Sequence, residues 1–354
     1  MTKTNSGNFF EDFRLGQVIR HATPRTVTYG DVALYTSLYG SRFAVNSSAE
    51  FARTIGMAAA GAAPVDDLLA FHVAFGKTVP DVSLNAVANL GYAAGRFGAP
   101  VYPGDTLATT STVIGLKENS NRQTGVVYVR SVGTNQRGQM VVDYIRWVMV
   151  RKRDVNAVTE EKVPDLPASV AAADLIVPET LTLGDYDAEL AGNPYRWGDY
   201  SVGEKIDHVD GMTIEEAEHM MATRLWQNTA KVHFNQHTEG QGRFGRRLIY
   251  GGHIISIARA LSFNGLANAF KIVALNGGRH TNPTFAGDTI YAWSEVLDRM
   301  EIPGRSDVGA LRLRLVATKN QPCANFPLKA EEEGFGAAAG MPVLDLDYTV
   351  LMPR

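Results

Sequence analysis

The chain contains two copies of one residue pattern, and this repeat constrains its fold more than any other feature. Phe10–Asn46 aligns without a gap with Trp197–His233, at a constant offset of 187 residues. Identical residues recur at that offset: Asp12 and Asp199, Gly16 and Gly203, His21 and His208. Further on, YPGDTL at Tyr102–Leu107 corresponds to FAGDTI at Phe285–Ile290, and the apolar segments around Asp143 and Asp347 resemble each other. Self-similarity at a fixed offset predicts two copies of one structural unit.

The 354 residues suffice for two such units, since a domain typically takes roughly 100–200 residues. We predict an N-terminal domain at 1–155, a linker at 156–192 and a C-terminal domain at 193–354. Each copy has a short strand, a helical stretch, a longer apolar helix and at least three β-branched segments separated by Gly and Asn. This order predicts an α+β fold in which an antiparallel sheet wraps around one long helix.

The long central helices are expected at two apolar segments. In the first copy the segment is PVDDLLAFHVAFG, where Pro64 suits a first helical position. In the second copy the helix is expected from His253 to about Ala269, directly after Gly251 and Gly252. An acidic, Gly- and Ala-rich stretch at Lys329–Met341 is expected to be an exposed loop.

Composition excludes several classes of protein. The net charge of −3 provides no electrostatic footprint for nucleic acid or an anionic membrane. The single cysteine, Cys323, cannot form an intramolecular disulfide and fits a reducing compartment. No apolar run approaches the ~20 residues that span a bilayer, and the N-terminus lacks the apolar core of a signal peptide. We therefore expect a cytoplasmic protein. No metal site is expected either, because one cysteine excludes a cysteine-ligated metal, and His233 and His237 lack the glutamate of an H-E-x-x-H motif and a nearby third ligand.

His233, in the segment WQNTAKVHFN, is the best candidate for a catalytic base. An unperturbed imidazole pKa near 6.5 allows proton transfer at neutral pH. The first copy has Asn46 at the same place, so the scaffold does not itself require an imidazole. Asn228, in the same segment, can orient a water molecule but cannot exchange a proton. The segment contains no carboxylate, which leaves open the group that would act beside His233.

Several motifs together resemble the MaoC-like, hot-dog-fold enoyl-CoA hydratases. They are IYGGHIISIARA, the later NPTFAGDT turn, and a helix that ends in a loop with a histidine. The resemblance covers both halves and implies a double hot-dog chain that reversibly adds water to an enoyl-CoA. WQNTAKVHFN, RRLIYGGHIISIARAL and LNGGRHTNPTFAGDTIYAWSEVLD are most similar to the branch that acts on a branched, carboxylated substrate, mesaconyl-CoA.

The resemblance also implies roles for individual residues. The family segment reads S-G-D-x-N-P-x-H, and this chain keeps the histidine as His233 but has Asn228 at the aspartate. The first copy, with Ser41, Phe43 and Asn46 at the corresponding places, is expected to be non-catalytic. Gly252, at the start of the long helix, is expected to hold the thioester oxygen through its backbone N–H.

The source of the proton for the α-carbon is left open. His233 could serve both proton transfers, or a carboxylate at Glu239, Asp66 or Asp67 could replace the missing aspartate. For Asp66 and Asp67, charge complementing a helix dipole is the more ordinary explanation.

Arginines are expected to bind the charged parts of an acyl-CoA. Arg243, Arg246 and Arg247 directly precede the Gly252 helix and are the predicted phosphate ligands. A free carboxylate on the acyl group would need another cation. Arg279 with His280, or Arg224, could provide it, and the sequence does not choose among them.

No cofactor is expected apart from the CoA of the substrate, and such chains are expected to associate as a homodimer. Two alternatives to a hydratase remain. One is a hot-dog thioesterase, in which Asp66 would matter more than His233, and the other is a non-catalytic acyl-CoA-binding protein.

Overall fold

The structure is a computed structural model that describes residues 3–328 and 342–354. The loop expected at Lys329–Met341 lies outside the described residues.

The first half contains six strands and four α-helices within the described residues. They are β1 (Val18–Arg20), β2 (Arg25–Thr26), α1 (Tyr29–Tyr39), α2 (Ala44–Ser47), α3 (Ala49–Thr54), α4 (Asp67–Thr78), β3 (Ala86–Phe97), β4 (Thr106–Glu118), β5 (Thr124–Thr134) and β6 (Met140–Arg151). A 3-10 turn (Phe10–Asp12) precedes β1, and a π-helical turn (Val79–Ser83) follows α4.

The second half repeats this order of elements. They are α5 (Ala188–Ala191), β7 (Lys205–Thr213), α6 (Glu216–Leu225), α7 (Lys231–Phe234), α8 (Gln236–Glu239), α9 (Gly251–Leu261), α10 (Phe263–Leu266), β8 (Lys271–His280), β9 (Thr289–Glu301), β10 (Val308–Lys319) and β11 (Pro342–Pro353). Two further 3-10 turns are Ala172–Asp174 and Trp197–Asp199.

The strands of both halves form one continuous antiparallel sheet. Its order is β1-β4-β5-β6-β3-β8-β11-β10-β9-β7, with β2 paired to β4. The order is the same from either end, because each strand of one half occupies the position of its counterpart in the other. The halves meet where β3 pairs with β8, with Tyr92 opposite Gly278.

The repeat seen in the sequence is also present in the turns. Gly104 and Gly287 both adopt positive φ, 101° and 93°, in a conformation that favours glycine. The next residues, Asp105 and Asp288, each accept a hydrogen bond of 2.9 Å from the backbone N–H three residues earlier.

The repeated histidines make matching contacts as well. His21 Nε2 bonds Ser111 Oγ at 2.7 Å, and His208 Nε2 bonds Ser294 Oγ at 2.8 Å. Each serine lies on a strand of its own half, β4 or β9, so the two histidines share a structural role.

The central helices are shorter than expected. Helix α4 begins at Asp67, and Asp66 caps it by accepting a 2.9 Å bond from Leu68 N–H, so the prediction that Pro64 begins the helix was wrong. Helix α9 ends at Leu261 rather than near Ala269, because Asn264 and Gly265 adopt non-helical angles. Both helices are buried almost completely along the sheet.

The segment 156–192 packs into a core shared by both halves. Leu181 and Tyr186 are buried in one cluster with Phe51 of α3 and Phe270. The domain boundaries themselves stay a prediction. In the described ranges, no helix is long and apolar enough to cross a membrane.

Candidate active site

A cavity of about 290 Å³ lies between the two halves. The second half contributes the loop before α9, the start of α9 and residues 280–284, whereas the first half contributes α4, β3 and β6. The lining residues Val87, Ala88 and Phe244 are exposed and mark the cavity opening. His233 and Asn228 both line this cavity, as expected for residues that act on one ligand.

Helix α4 of the first half holds the segment that carries these two residues. A Cβ at Gly76 would overlap the Trp226 carbonyl oxygen, so the glycine permits a close approach of the two backbones. The Lys77 ammonium donates to the Gln227 side-chain oxygen. Trp226 is buried and stacks on Tyr39, with ring centroids 6.1 Å apart. The first half therefore fixes the position of the candidate catalytic segment.

One nitrogen of the His233 imidazole is hydrogen-bonded and the other is free. Nδ1 lies 2.9 Å from the Leu248 carbonyl oxygen. Because a carbonyl can only accept, Nδ1 carries the proton and Nε2 keeps its lone pair. Nε2 bonds to no atom of the described residues. Burial lowers the pKa of His233 to about 4, against the opposing effect of the bond to Leu248.

Asn46 of the first copy makes the equivalent backbone contact without providing a base. Its amide nitrogen donates to the carbonyl oxygens of Pro64 and Val65, at 3.1 and 3.2 Å, just before helix α4. His233 likewise bonds the segment just before helix α9. Both copies thus make this contact to the segment before the central helix, but only the second copy has a free imidazole nitrogen.

Asn228, the residue predicted to orient a water molecule, is buried in the cavity wall. It is 1% exposed, and its Oδ1 accepts a 3.2 Å bond from Ala230 N–H. Its amide NH₂ has no acceptor among the residues the structure describes. Asn228 itself lines the cavity. An amide in this state can donate to water but cannot supply a proton to carbon.

The N-terminus of α9 has two free backbone donors, one of them on a residue that lines the cavity. Neither Gly251 N–H nor Gly252 N–H has an acceptor within the described ranges. Gly251 lines the cavity, whereas a Cβ at Gly252 would overlap Tyr250 and His72. His219 Nε2 accepts from Tyr250 N–H at 2.9 Å and so fixes the residue that precedes the helix. Gly252 remains the predicted oxyanion donor, and the structure adds Gly251 beside it.

Replacing Gly251 with alanine is expected to lower kcat for hydration by about 100-fold, because a displaced oxyanion donor loses contact with the thioester oxygen and losing one such donor typically costs ~10²–10³. The new Cβ would overlap the His280 imidazole and displace the helix entrance. Steady-state kinetics measure the effect. Gly184→Ala is the matched control, because no atom lies within 4 Å of the added Cβ there. Equal losses in the two variants would contradict the assignment.

The cavity lining contains no carboxylate among the described residues. Asp67 bonds Lys271 Nζ at 2.7 Å and Ile272 N–H at 2.9 Å, so it is structural. Asp66 caps α4, and burial raises its pKa. Glu239, in α8, is outside the lining too. None of the three expected replacements for the aspartate therefore lines the cavity.

The arginines before α9 differ in their environments. Arg247 bonds Glu216 at 2.5 Å, so its charge is already partnered. Arg246 is exposed and lies over the Phe285 ring, 4.0 Å from the centroid. Arg243 is also exposed, next to the Phe244 ring that marks the cavity opening. Arg243 and Arg246 have no carboxylate partner in the described part of the chain and stay the better candidates for CoA phosphate binding.

The cations expected for a substrate carboxylate are not brought into the cavity. Arg279 has a 66% exposed side chain and pairs with Asp345 outside the cavity. Its neighbour His280 lines the cavity, as alternation along strand β8 requires, but burial lowers its pKa to about 4. Arg224 is exposed on α6 and is not among the lining residues. Arg146, which no sequence motif indicated, is the arginine that does line the cavity.

Comparison with known proteins identifies relatives over the whole chain. A family model described as mesaconyl-CoA hydratase matches residues 1–326. The chain is 68% identical over 353 residues to a β-methylmalyl-CoA dehydratase of Chloroflexus aurantiacus, covering 99% of each chain. It is 62% identical over 355 residues to a mesaconyl-CoA hydratase of Cereibacter sphaeroides, covering 99% of this chain and all of the other.

Solved structures agree with this result. A crystal structure of a MaoC domain protein from Chloroflexus aurantiacus has a TM-score of 0.94 at 68% identity, covering 100% of this chain and 99% of the other. A Mycobacterium tuberculosis protein with a double hotdog fold has a TM-score of 0.75 at 23% identity, covering 99% of both chains, which supports the fold alone.

The fold and the site define a MaoC-like double hot-dog hydro-lyase, and the predicted fold and enzyme class are confirmed. Within that class, the chain belongs to the mesaconyl-CoA hydratase family.

Proposed function

We propose that this chain catalyses the reversible addition of water to the double bond of mesaconyl-CoA, which gives β-methylmalyl-CoA. The observation that carries the proposal is the arrangement of His233. Its Nδ1 is fixed by Leu248, and Nε2 is free in a cavity that also contains the free N-terminus of α9. The names of the relatives support the choice of substrate.

The first step requires a polarised thioester and an activated water molecule. The thioester oxygen accepts hydrogen bonds from the N–H groups of Gly251 and Gly252, where the helix dipole also favours the developing negative charge. Water lies between the Asn228 amide and His233 Nε2. Nε2 removes a proton as the water oxygen bonds to the β-carbon, and the electron pair of the double bond moves toward the thioester oxygen.

In the second step the same imidazole protonates the α-carbon. A pKa of about 4 makes neutral His233 a modest base, but it makes the imidazolium a strong acid toward the enolate carbon. One group can therefore perform both transfers in a cavity whose described lining contains no carboxylate. Dehydration follows the same path in reverse.

A thioesterase is the alternative function, and it would use Asp66 as a nucleophile or base. Asp66 instead caps α4 through Leu68 N–H and accepts a weak 3.3 Å bond from Ser41 Oγ. Neither of the aspartates at the start of α4 lines the cavity. The site therefore favours the addition of water activated by His233 over thioester hydrolysis by water activated at Asp66.

The test is a panel of enoyl-CoA esters with and without a terminal carboxylate. We expect loss of enoyl-thioester absorbance with mesaconyl-CoA and no release of free CoA thiol. Thiol release without hydration would instead identify a thioesterase. Tight binding of every ester without turnover would identify a non-catalytic acyl-CoA-binding protein.

We also propose that the enzyme needs no metal or cofactor. The α9 N-terminus polarises the thioester oxygen, and His233 removes the proton from water and delivers a proton to the α-carbon. Activity should survive dialysis against EDTA. A cytoplasmic location and a homodimer remain proposals, and the free, buried thiol of Cys323 is compatible with the reducing compartment that the first of them requires. Sedimentation velocity would measure the assembly.

A further inference from the structure

Arg146, on strand β6 of the first half, is a cation buried in the cavity wall. Its residue exposure is 0%. One terminal nitrogen donates to Thr78 Oγ1 at 2.7 Å and to Ser83 Oγ at 3.3 Å, and the other reaches Asn89 Oδ1 at 3.5 Å. The guanidinium lies over the Phe75 ring, 4.3 Å from its centroid. All of these partners are neutral.

No carboxylate compensates this charge within the described ranges. Arg146 forms no ion pair there, and the cavity lining contains no Asp or Glu. A buried charge without a counter-ion is costly, and burial lowers the pKa of Arg146 accordingly. A bound anion would supply the missing opposite charge, so the cavity is suited to an anion.

Two hydrogen-bond donors are unused at this end of the cavity, one of them within the guanidinium itself. Arg146 Nε and Asn89 Nδ2 are buried and have no hydrogen-bond partner in the part of the chain described. Both residues line the cavity. A carboxylate could accept from these two donors at once and so satisfy both.

Ring contacts connect this end of the cavity to His233. Phe75, which lies under the guanidinium, has its ring centroid 5.7 Å from that of Tyr250. The Tyr250 centroid is in turn 5.4 Å from that of His233. The buried charge and the base therefore face one ligand of modest length.

The duplicated sequence shows that this cation is not a requirement of the fold. The matched segments run Asp143-Tyr144-Ile145-Arg146 and Asp347-Tyr348-Thr349-Val350, so the second copy has a buried valine at the place of Arg146. The halves have diverged in complementary ways. The second has the imidazole where the first has Asn46, and the first has the guanidinium where the second has Val350.

We propose that Arg146, assisted by the Asn89 amide, binds the free carboxylate of the substrate and selects carboxylated enoyl-CoA esters. The inference rests on the proposed hydration of mesaconyl-CoA. In this methyl-branched butenedioic acyl group, the free carboxylate is attached to the β-carbon, the atom that water attacks. Neutralising it removes its repulsion of the incoming oxygen and also fixes that carbon beside His233.

The experiment compares mesaconyl-CoA with the analogue whose free carboxylate is replaced by a carboxamide. Loss of enoyl-thioester absorbance gives kcat/KM for the full-length wild type and for Arg146→Gln. We expect the wild type to prefer the carboxylate by about 100-fold or more, and the variant to lose most of that preference. Arg151→Gln, at the exposed end of the same strand, is the matched control and should keep it.

Thermal unfolding separates recognition from a structural role. Removing Arg146 leaves no carboxylate unpaired, so the Tm of Arg146→Gln should equal or exceed that of the wild type. Retention of the preference in folded Arg146→Gln would overturn the inference. If that variant does not fold, equal wild-type rates with the carboxylate and the amide would overturn it instead. A wild type that hydrates neither ester would overturn the proposed function itself.

Discussion

Replacing His233 with asparagine lowers kcat for hydration by about 10³-fold or more and leaves the fold intact. General acid–base catalysis typically contributes ~10²–10⁴, and here one imidazole performs both proton transfers. Asparagine is the informative substitute, because Asn46 already makes the corresponding backbone contact in the first copy. An amide at 233 can keep the bond to Leu248 and lacks only the base.

His237→Asn is the matched control for this variant. His237 is exposed on α8, four residues from His233, and is absent from the cavity lining. Steady-state kinetics with mesaconyl-CoA and thermal unfolding of both variants separate catalysis from stability. Retention of more than a tenth of wild-type activity in His233→Asn would contradict the role of His233.

Lowering the pH from 7 to 5 destabilises the protein by several kcal/mol. Burial lowers the pKa values of four histidines that are at most 1% exposed: His72 to about 3, His208 to about 4, His219 to about 2 and His253 to about 3. Each is about 6.5 in the unfolded chain. The stability that these groups contribute is present above pH 6.5 and is lost as the pH falls toward the folded values.

The size of this effect is large because the four histidines act together. At pH 5 each contributes a loss of about 2 kcal/mol, compared with a typical total stability of about 5–15 kcal/mol. On unfolding, these four histidines should therefore take up about four protons at pH 5, against about one at pH 7, and His233 and His280, whose folded pKa values are about 4, add about two more at pH 5. The raised pKa of Asp66 offsets at most one of them.

Urea unfolding followed with a pH indicator measures this proton uptake directly. Uptake that is the same at pH 5 and pH 7, with an unchanged unfolding midpoint, would show that the buried histidines are protonated in the folded state.

The duplicated pattern predicts the fold because matched residues make matched contacts. Asp105 and Asp288 close the same turn, and His21 and His208 each hold a strand serine. Helix ends were predicted less well. Asp66 caps α4 in place of an initiating Pro64, a choice that depends on one side-chain bond rather than on the apolar pattern.

The same logic explains which part of the site was predictable. His233 stands in a segment that the repeat and the family motif both single out. Arg146 lies within an apolar strand, MVVDYIRWVMV, and its importance depends on which partners surround it after folding. The available signal was a charged residue at the position where the second copy has Val350. Arg279 was one of the cations predicted for a substrate carboxylate, but strand alternation places it on the outer face of the sheet.

The relative configuration of the product tests the central claim most directly. If His233 alone removes a proton from water and returns one to carbon, the hydroxyl and the hydrogen add to the same face of the double bond. Hydration of mesaconyl-CoA makes both carbons stereocentres, so NMR or chromatography against standards can distinguish the two diastereomers of β-methylmalyl-CoA. We predict the syn-addition product. The anti-addition product would require a second proton donor on the opposite face and would contradict a single-histidine mechanism.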